Sequence, residues 1–326
     1  MNRNRIYALN IQRFADVMNA TTSHTTGNDL SPEMKTFYDK NLIRLAEPYL
    51  VHDRFGQEKP IPRGNGKTIE FRKFSKLPKA LTPLTEGVAP DGQALNTSAI
   101  TATVEQYGAY VKVTDMLQLT AIDPIITEAT ELIGQQAGRT LDTITRDIIT
   151  AGTNVVFSGG KTARNALGTS DTLTVKDVQM AVTALKAQDA QLLDGGYFAV
   201  IIHPNVAFDL KRDPEWIDWQ KHTSPEHMYE GEIGRIEKAV FFESTEAKIF
   251  EGAGASGANV YATLIIGKNA YGKTSINGGG LQTIIKSNEQ AGGPLNQYAT
   301  VGWKATKTAE RLVEEYMVRI ESGCSL

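Results

Sequence analysis

The sequence predicts an α+β protein organised around one long helix. Three observations carry this reading. Residues 125–152 form a 28-residue amphipathic run, the clearest helix in the chain. Two runs of alternating polarity, at 68–74 and from Ser98 onward, enclose an aperiodic stretch of 23 residues, 75–97. From Thr174 a helical period gives way to short apolar strands, as in sheets covered on both faces.

Composition sets the outer bounds. A chain of 326 residues suggests about two domains, or one domain with large excursions. Lys and Arg number 34 against 37 Asp and Glu, a net charge of −3, so no global field draws the protein to nucleic acid or anionic membrane. Apolar residues make up 41% and charged residues 22%, enough for a packed core. The single cysteine, Cys324, excludes a disulfide framework and a Cys-ligated zinc site within one chain and fits a reducing compartment. No apolar stretch approaches the roughly 20 residues that span a bilayer. The start carries Arg3, Arg5 and Arg13 without a continuous apolar core and does not read as a signal peptide. A soluble protein that stays where it is made is expected.

Residues 1–30 end in a polar Thr/Ser/Gly/Asn run and read as an arm that a partner must order. A helix follows, with Ser31 as cap, Pro32 at its first position and Met34, Phe37, Tyr38, Leu42 and Leu45 on one face. Pro48 limits it. The strand at 68–74 places Ile69 and Phe71 on one face and Glu70 and Arg72 on the other. In the next run Ile100, Ala102 and Val104 share one phase, while Tyr107, Val111 and Val113 share the opposite one. That flip suggests a bulge at Gly108. The stretch between the runs holds three prolines and two glycines. A loop of such length usually serves a function, here as a projecting hairpin, which is marginal alone and should lie on something else.

Asp123-Pro124 opens the long helix, and Ile125, Ala129, Leu132, Ile133, Ala137, Leu141, Ile144 and Ile148 recur at spacings of three and four. Its 28 residues would make a rod of about 42 Å. Gly134 and Gly138 each cost about 1 kcal/mol against Ala, which the close approach of another backbone would offset. After a Gly/Asn-rich turn region at 152–170, a helix over about 174–188 turns Val175, Val178, Val182 and Leu185 inward. The apolar strand 197–202, a short helix after Pro204, a turn and strand at 231–250, a GAGASGA tip and the strand VYATLIIG follow. The segment 297–322 reads as long strands, with Val301, Trp303, Ala305, Tyr316, Val318 and Ile320 as markers. There is no internal repeat.

No motif supplies a convincing catalytic centre. GKNAYGKT, Gly267 to Thr274, satisfies the P-loop string and follows an apolar strand. Thr274 then runs into SINGGG, which cannot start the helix whose amides would hold phosphate. A turn between strands is the better reading. His222 and His227 lie five apart with Pro225 between them, a poor spacing for zinc. Cys324 sits at the end of the chain, where ordering is not expected, and no GxSxG elbow is present. No cofactor, metal or enzymatic activity is expected.

Charge distribution says more. Residues 59–79 contain seven Lys or Arg (Lys59, Arg63, Lys67, Arg72, Lys73, Lys76 and Lys79) against Glu70 alone, and residues 80–96 contain only Glu86 and Asp91. Charge runs are commonly solvated faces. The functional readings are a surface that salt-bridges to a neighbouring subunit or a contact to polyanion, and on a projecting hairpin the neighbour is favoured. Arg72, Lys73, Lys76, Lys79, Glu86 and Asp91 are the candidate inter-subunit contacts.

The order of elements and several strings then resemble the major capsid proteins of tailed phages, of the Hong Kong ninety-seven type, and most nearly the coliphage N-four capsid protein family. The strings are LSPEMKTFYDKNLIRLAEP, GKTIEFRKFSKLPKALTPLTEGVAPDG, QAGRTLDTITRDIITAGTNV, HPNVAFDLKRDPEWID, GEIGRIEKAVFFESTEAKIF and PLNQYATVGWKATKTAERL. They span about residues 30–322. The resemblance implies an arm and first helix (1–65), an extended two-stranded loop (66–118) lying across an adjacent subunit, and an axial α/β domain (174–290). A peripheral domain (119–173 and 291–326) would carry the spine helix 123–152. It implies self-assembly as hexamers and pentamers into an icosahedral head shell around double-stranded DNA, bound without sequence preference, in a virion assembled in the host cytoplasm. Portal and decoration proteins are further partners. With about 30 residues before the first helix, a separate scaffolding protein is expected, and no membrane partner. Three alternatives compete: a P-loop nucleotide-binding enzyme using Gly267–Thr274, a cellular nanocompartment shell of the same fold, and a tail protein forming tubes or rings.

Overall fold

The computed structural model describes residues 40–60, 67–74, 77–84, 86–87, 89, 92–120, 125–221, 232–275, 280–291 and 293–326. The arm, the Ser31 cap, the Asp123-Pro124 cap, His222 and His227 lie outside the described residues.

The larger half is one mixed sheet. Strands β5 (Val155–Phe157), β15 (Met317–Ser322), β10 (Val260–Ile266), β6 (Phe198–Ile202), β8 (Ala239–Glu243) and β7 (Glu232–Ile236) lie side by side in that order, with β9 (Ile249–Phe250) on β10. Strand β6 is buried at every residue because both faces are covered. Phe198, Val200 and Ile202 meet helix α4 (Val175–Ala187) and helix α5 (Pro204–Lys211). Ala199 and Ile201 meet Phe55, Ile149 and Tyr271 on the other side. This is why the strands read as unbroken apolar runs. Helix α4 starts in a capping box, with the Thr174 hydroxyl accepting from the Asp177 amide and the Asp177 carboxylate accepting from Thr174. Val175, Val178, Val182 and Leu185 are all buried, as the period predicts.

The smaller half is built on the long helix α3 (Ile125–Thr150). Against it lies the sheet β12 (Leu281–Lys286), β13 (Tyr298–Lys307) and β4 (Glu105–Thr114). Helix α1, residues 40–46, packs beside it and contributes Leu42 and Ala46 to the core of Ile133, Ala137, Leu141, Val301 and Trp303. Gly138 permits that approach, since a Cβ there would lie 2.5 Å from the Ala46 carbonyl oxygen. The backbone contact expected at the two helix glycines is therefore present.

Four expectations need correction. The register of β4 on β13 runs unbroken from Glu105–Lys307 to Thr114–Tyr298, so Gly108 is not a bulge. The phase changes at Val104, whose amide donates to Lys67 O, where the chain leaves β2 (Thr68–Phe74) for β13. Two sheets impose two inward faces. Gly108 is required instead because a Cβ would meet Trp303 O at 2.6 Å. Leu132 is 64% exposed; the buried stripe of α3 steps by four through Ala129, Ile133, Ala137, Leu141, Thr145 and Ile149, with Asp142 beside it. Cys324 is buried in the main core, because the preceding Gly323 amide donates to Asp171 O and ties the chain end down. Finally, within the segment assigned to the peripheral domain, β13 packs on α3, but β15 lies between β5 and β10 in the larger sheet. Its side chains are buried along its whole length, which only a central strand provides.

The string Gly267–Thr274 also resolves. It closes a turn and enters strand β11 (Tyr271–Thr274), which pairs with β1 (Gln57–Lys59) and β14 (Ala309–Arg311). The Gly267, Lys268 and Thr274 amides donate to Tyr316 O, Gln191 O and Thr308 O, and residues 271–274 form a strand, so these residues offer no amide cradle to a phosphate.

Candidate subunit interface

The hairpin of β2 and β3 (Thr97–Thr103) pairs in strict antiparallel register, Thr68 with Thr103 through Phe74 with Thr97. Its alternation has the expected effect: Ile69, Phe71 and Ala102 form a small buried cluster with Val104 and Leu312. The Phe71 ring fills the space a side chain would need at Gly272, where a Cβ would lie 2.4 Å from it. The root is thus anchored on β11.

Beyond the root the described residues of the hairpin bury almost nothing. Leu77, Leu81, Leu84 and Leu95 are 50–82% exposed. Arg72 and Glu70 form an ion pair at 2.9 Å with both side chains largely in water, which contributes little to stability. Lys59 donates to Glu70 O and lies 5.6 Å from the Phe71 ring. Lys73 is half-buried, and Lys79 and Glu86 are exposed. Lys76 and Asp91 lie outside the described residues. The structure therefore puts Arg72 and Lys73 at the root and Lys79 and Glu86 along the projecting part; it does not bring them together into one site. Further exposed apolar side chains stand on helix α2 (Asp115–Thr120), namely Met116, Leu117 and Leu119. A surface of this kind, apolar and rimmed by charge, marks an interaction site.

Sequence reasoning missed a buried polar cluster behind that root. Asp53 accepts from Thr145 Oγ1 at 3.0 Å, from Lys307 Nζ, and from Lys273 Nζ at 3.4 Å. Asp142 accepts from the His52 and Asp53 amides at 2.7 and 3.3 Å and meets His52 Nδ1 at 2.6 Å. The Tyr271 hydroxyl donates to His52 O. Burial alone would raise Asp53, but the ammonium groups of Lys307 and Lys273 outweigh it and hold the carboxyl below its usual 3.8. Burial pushes Lys307 below 10.5 against the pull of Asp53, and burial, then the Asp53 charge, push Tyr271 well above 10. The one available signal was Asp142 and Thr145 falling on the apolar stripe of α3. A second knot holds β15: Glu321, buried, accepts from Arg164 at 2.6 and 2.7 Å and from Arg319 at 2.8 Å. Burial lowers Arg319 against the opposing pull of Glu321.

Both clusters join elements distant in the chain. Among the described residues no group of three His, Cys, Asp or Glu could hold a metal ion. No helix there is long and apolar enough to cross a membrane.

A profile of the family described as phage capsid protein matches residues 97–303, from β3 into β13. The chain belongs to the phage capsid protein family. This capsid protein superposes on the capsid of Ralstonia phage GP4 with a TM-score of 0.66 at 14% identity, over 82% of this chain and 87% of that one. For the capsid of cyanophage Pam1 the values are 0.65 and 16%, over 95% and 99%. The capsid of cyanophage P-SCSP1u gives 0.63 and 12%, over 85% and 89%. The fold is thus that of the tailed-phage capsids, the Hong Kong ninety-seven type. No curated protein sequence matches the chain. The nearer likeness to the coliphage N-four capsid protein rests on the sequence strings alone. As a member of this family the protein is a major capsid protein that forms the head shell.

Proposed function

We propose that the protein assembles as hexamers and pentamers into an icosahedral shell around double-stranded DNA, in the host cytoplasm. A separate scaffolding protein, a portal and decoration proteins would be its other partners. Its contribution is structural rather than enzymatic. In such a shell residues 66–118 are the extended loop, whose strand β4 joins the peripheral sheet, residues 174–280 with β15 are the axial domain, and α3 with β12 and β13 is the peripheral domain. The observation that carries this reading is the hairpin itself, which leaves four leucines exposed and so needs a second subunit to cover them. Stability is then shared across large interfaces. The basic stretch 59–79 pairs with carboxylates of the neighbour. Charge reversal at Lys73 and Lys76 should therefore block assembly while the subunit stays folded by circular dichroism. Normal shells from that variant would refute the pairing.

A further inference from the structure

Helix α3 buries one stripe and turns another outward, where Glu128, Glu131, Leu132, Gln136 and Arg139 are exposed. Between that outward face, the β4 residue Tyr107 and the turn at Glu246 lies a groove of about 520 Å³. Leu132, Tyr107 and Ile144 give it apolar walls, and Leu132 is 64% exposed. Its lining is held in place. The Tyr107 hydroxyl donates to Glu105 at 2.7 Å, Trp303 Nε1 donates to Gln136 at 3.3 Å, and Arg139 pairs with Glu246 at 2.7 Å. From Leu132 to Ile144 the groove follows α3 for twelve residues, about 18 Å. An amphipathic helix of about three turns fits such a groove by its apolar face.

We infer that the groove seats residues 7–18 of the chain's own arm as an amphipathic helix. Tyr7, Ile11, Phe14 and Met18 recur at spacings of four, three and four, which puts them on one helix face. They span about 16 Å as a helix, close to the length of the groove. Charge fits as well. Residues 1–18 hold Arg3, Arg5 and Arg13 against Asp16 alone, and the exposed Glu128 and Glu131 stand on α3 just before Leu132. Connectivity selects the occupant. Helix α1, into which the arm leads, packs on the adjoining stripe of α3, where a Cβ at Gly134 would lie 2.8 Å from the Leu45 side chain. Gln135, the next residue, lines the groove. The 21 residues from 19 to 39 can span up to about 70 Å. They tether the segment at an effective concentration on the order of millimolar, which favours the arm over an untethered partner. The inference concerns the single subunit and does not rest on the shell reading.

Cross-linking in the full chain tests this. Ala15 adjoins Phe14 at the edge of the contact face, so Ala15→Cys is combined with Gln135→Cys or with Thr143→Cys, towards the two ends of the groove. The purified chain is then treated with a short bis-maleimide; the native Cys324 is buried. A faster-migrating intrachain band is expected from at least one pair, in a share independent of protein concentration. Leu132→Asp should abolish that band while the melting of the subunit stays unchanged, because Leu132 is exposed. Reversing Glu128 and Glu131 to Lys should slow the reaction about threefold at low salt, and adding Arg5→Glu and Arg13→Glu should restore it. No intrachain band from either pair, or a band that Leu132→Asp leaves intact, overturns the inference. Linked dimers whose share rises with concentration assign the groove to the arm of a second copy and overturn it as well.

Discussion

Replacing Asp53 by Asn keeps the side chain's shape and removes its charge, and that single charge holds two lysines. The Lys307 side chain has no exposure and Lys273 only 12%. In the Asp53→Asn variant the Lys307 ammonium would be buried without a counter-ion, a loss of about 3–5 kcal/mol. Domains are stable by about 5–15 kcal/mol in total, so the effect would be plain in urea denaturation of the free subunit, followed by Trp303 and Trp216 fluorescence. Lys307→Met should cost less, because Asp53 keeps Lys273 and Thr145. The double variant exchanges the pair for neutral groups and should be more stable than the two single losses added together, with a coupling of about 2 kcal/mol. A loss under about 1 kcal/mol for Asp53→Asn, or strict additivity, would refute the buried ion pair.

Two further predictions use the same assay. Gly138→Ala gains about 1 kcal/mol of helix propensity, but its Cβ would meet the Ala46 carbonyl oxygen at 2.5 Å. A net loss of about 1–2 kcal/mol is expected after overpacking, and a more stable variant would show that α1 does not approach α3 there. Acid should act through Asp53, whose folded value lies below 3.8. Its stabilisation is complete above that pH and is lost as pH falls through the folded value. The stability gap between the native chain and Asp53→Asn should therefore narrow below pH 3.8; an equal gap at neutral and acid pH would contradict the assignment.

What could be read in advance follows periodicity. Ile69 and Phe71 announce their strand by alternation, and Val175, Val178, Val182 and Leu185 announce α4 by spacing, because each element has one inward face set by local geometry. The exposed hairpin was likewise legible from its prolines, glycines and lack of period. What local pattern cannot show is which distant group meets a given face. The phase change at Val104 looked like a defect in one strand because β2 and β13, its two partners, are over 200 residues apart. Asp142 and Thr145 fall on the apolar stripe of α3, and no local pattern shows that His52 and Asp53 arrive from elsewhere in the chain to meet them. Cys324 looked loose until the pairing of β15 placed it in the core. The candidate contacts Arg72, Lys73, Lys79 and Glu86 stand out in the sequence as charge, but which group of a neighbour meets each is not a local property.

Shell formation is decided by electron microscopy of particles from cells producing the chain, with a concentration series of the purified protein. Closed angular shells with hexameric and pentameric capsomers are predicted. Open tubes, isolated rings, or a subunit that never assembles at any concentration or with a scaffolding protein would contradict it.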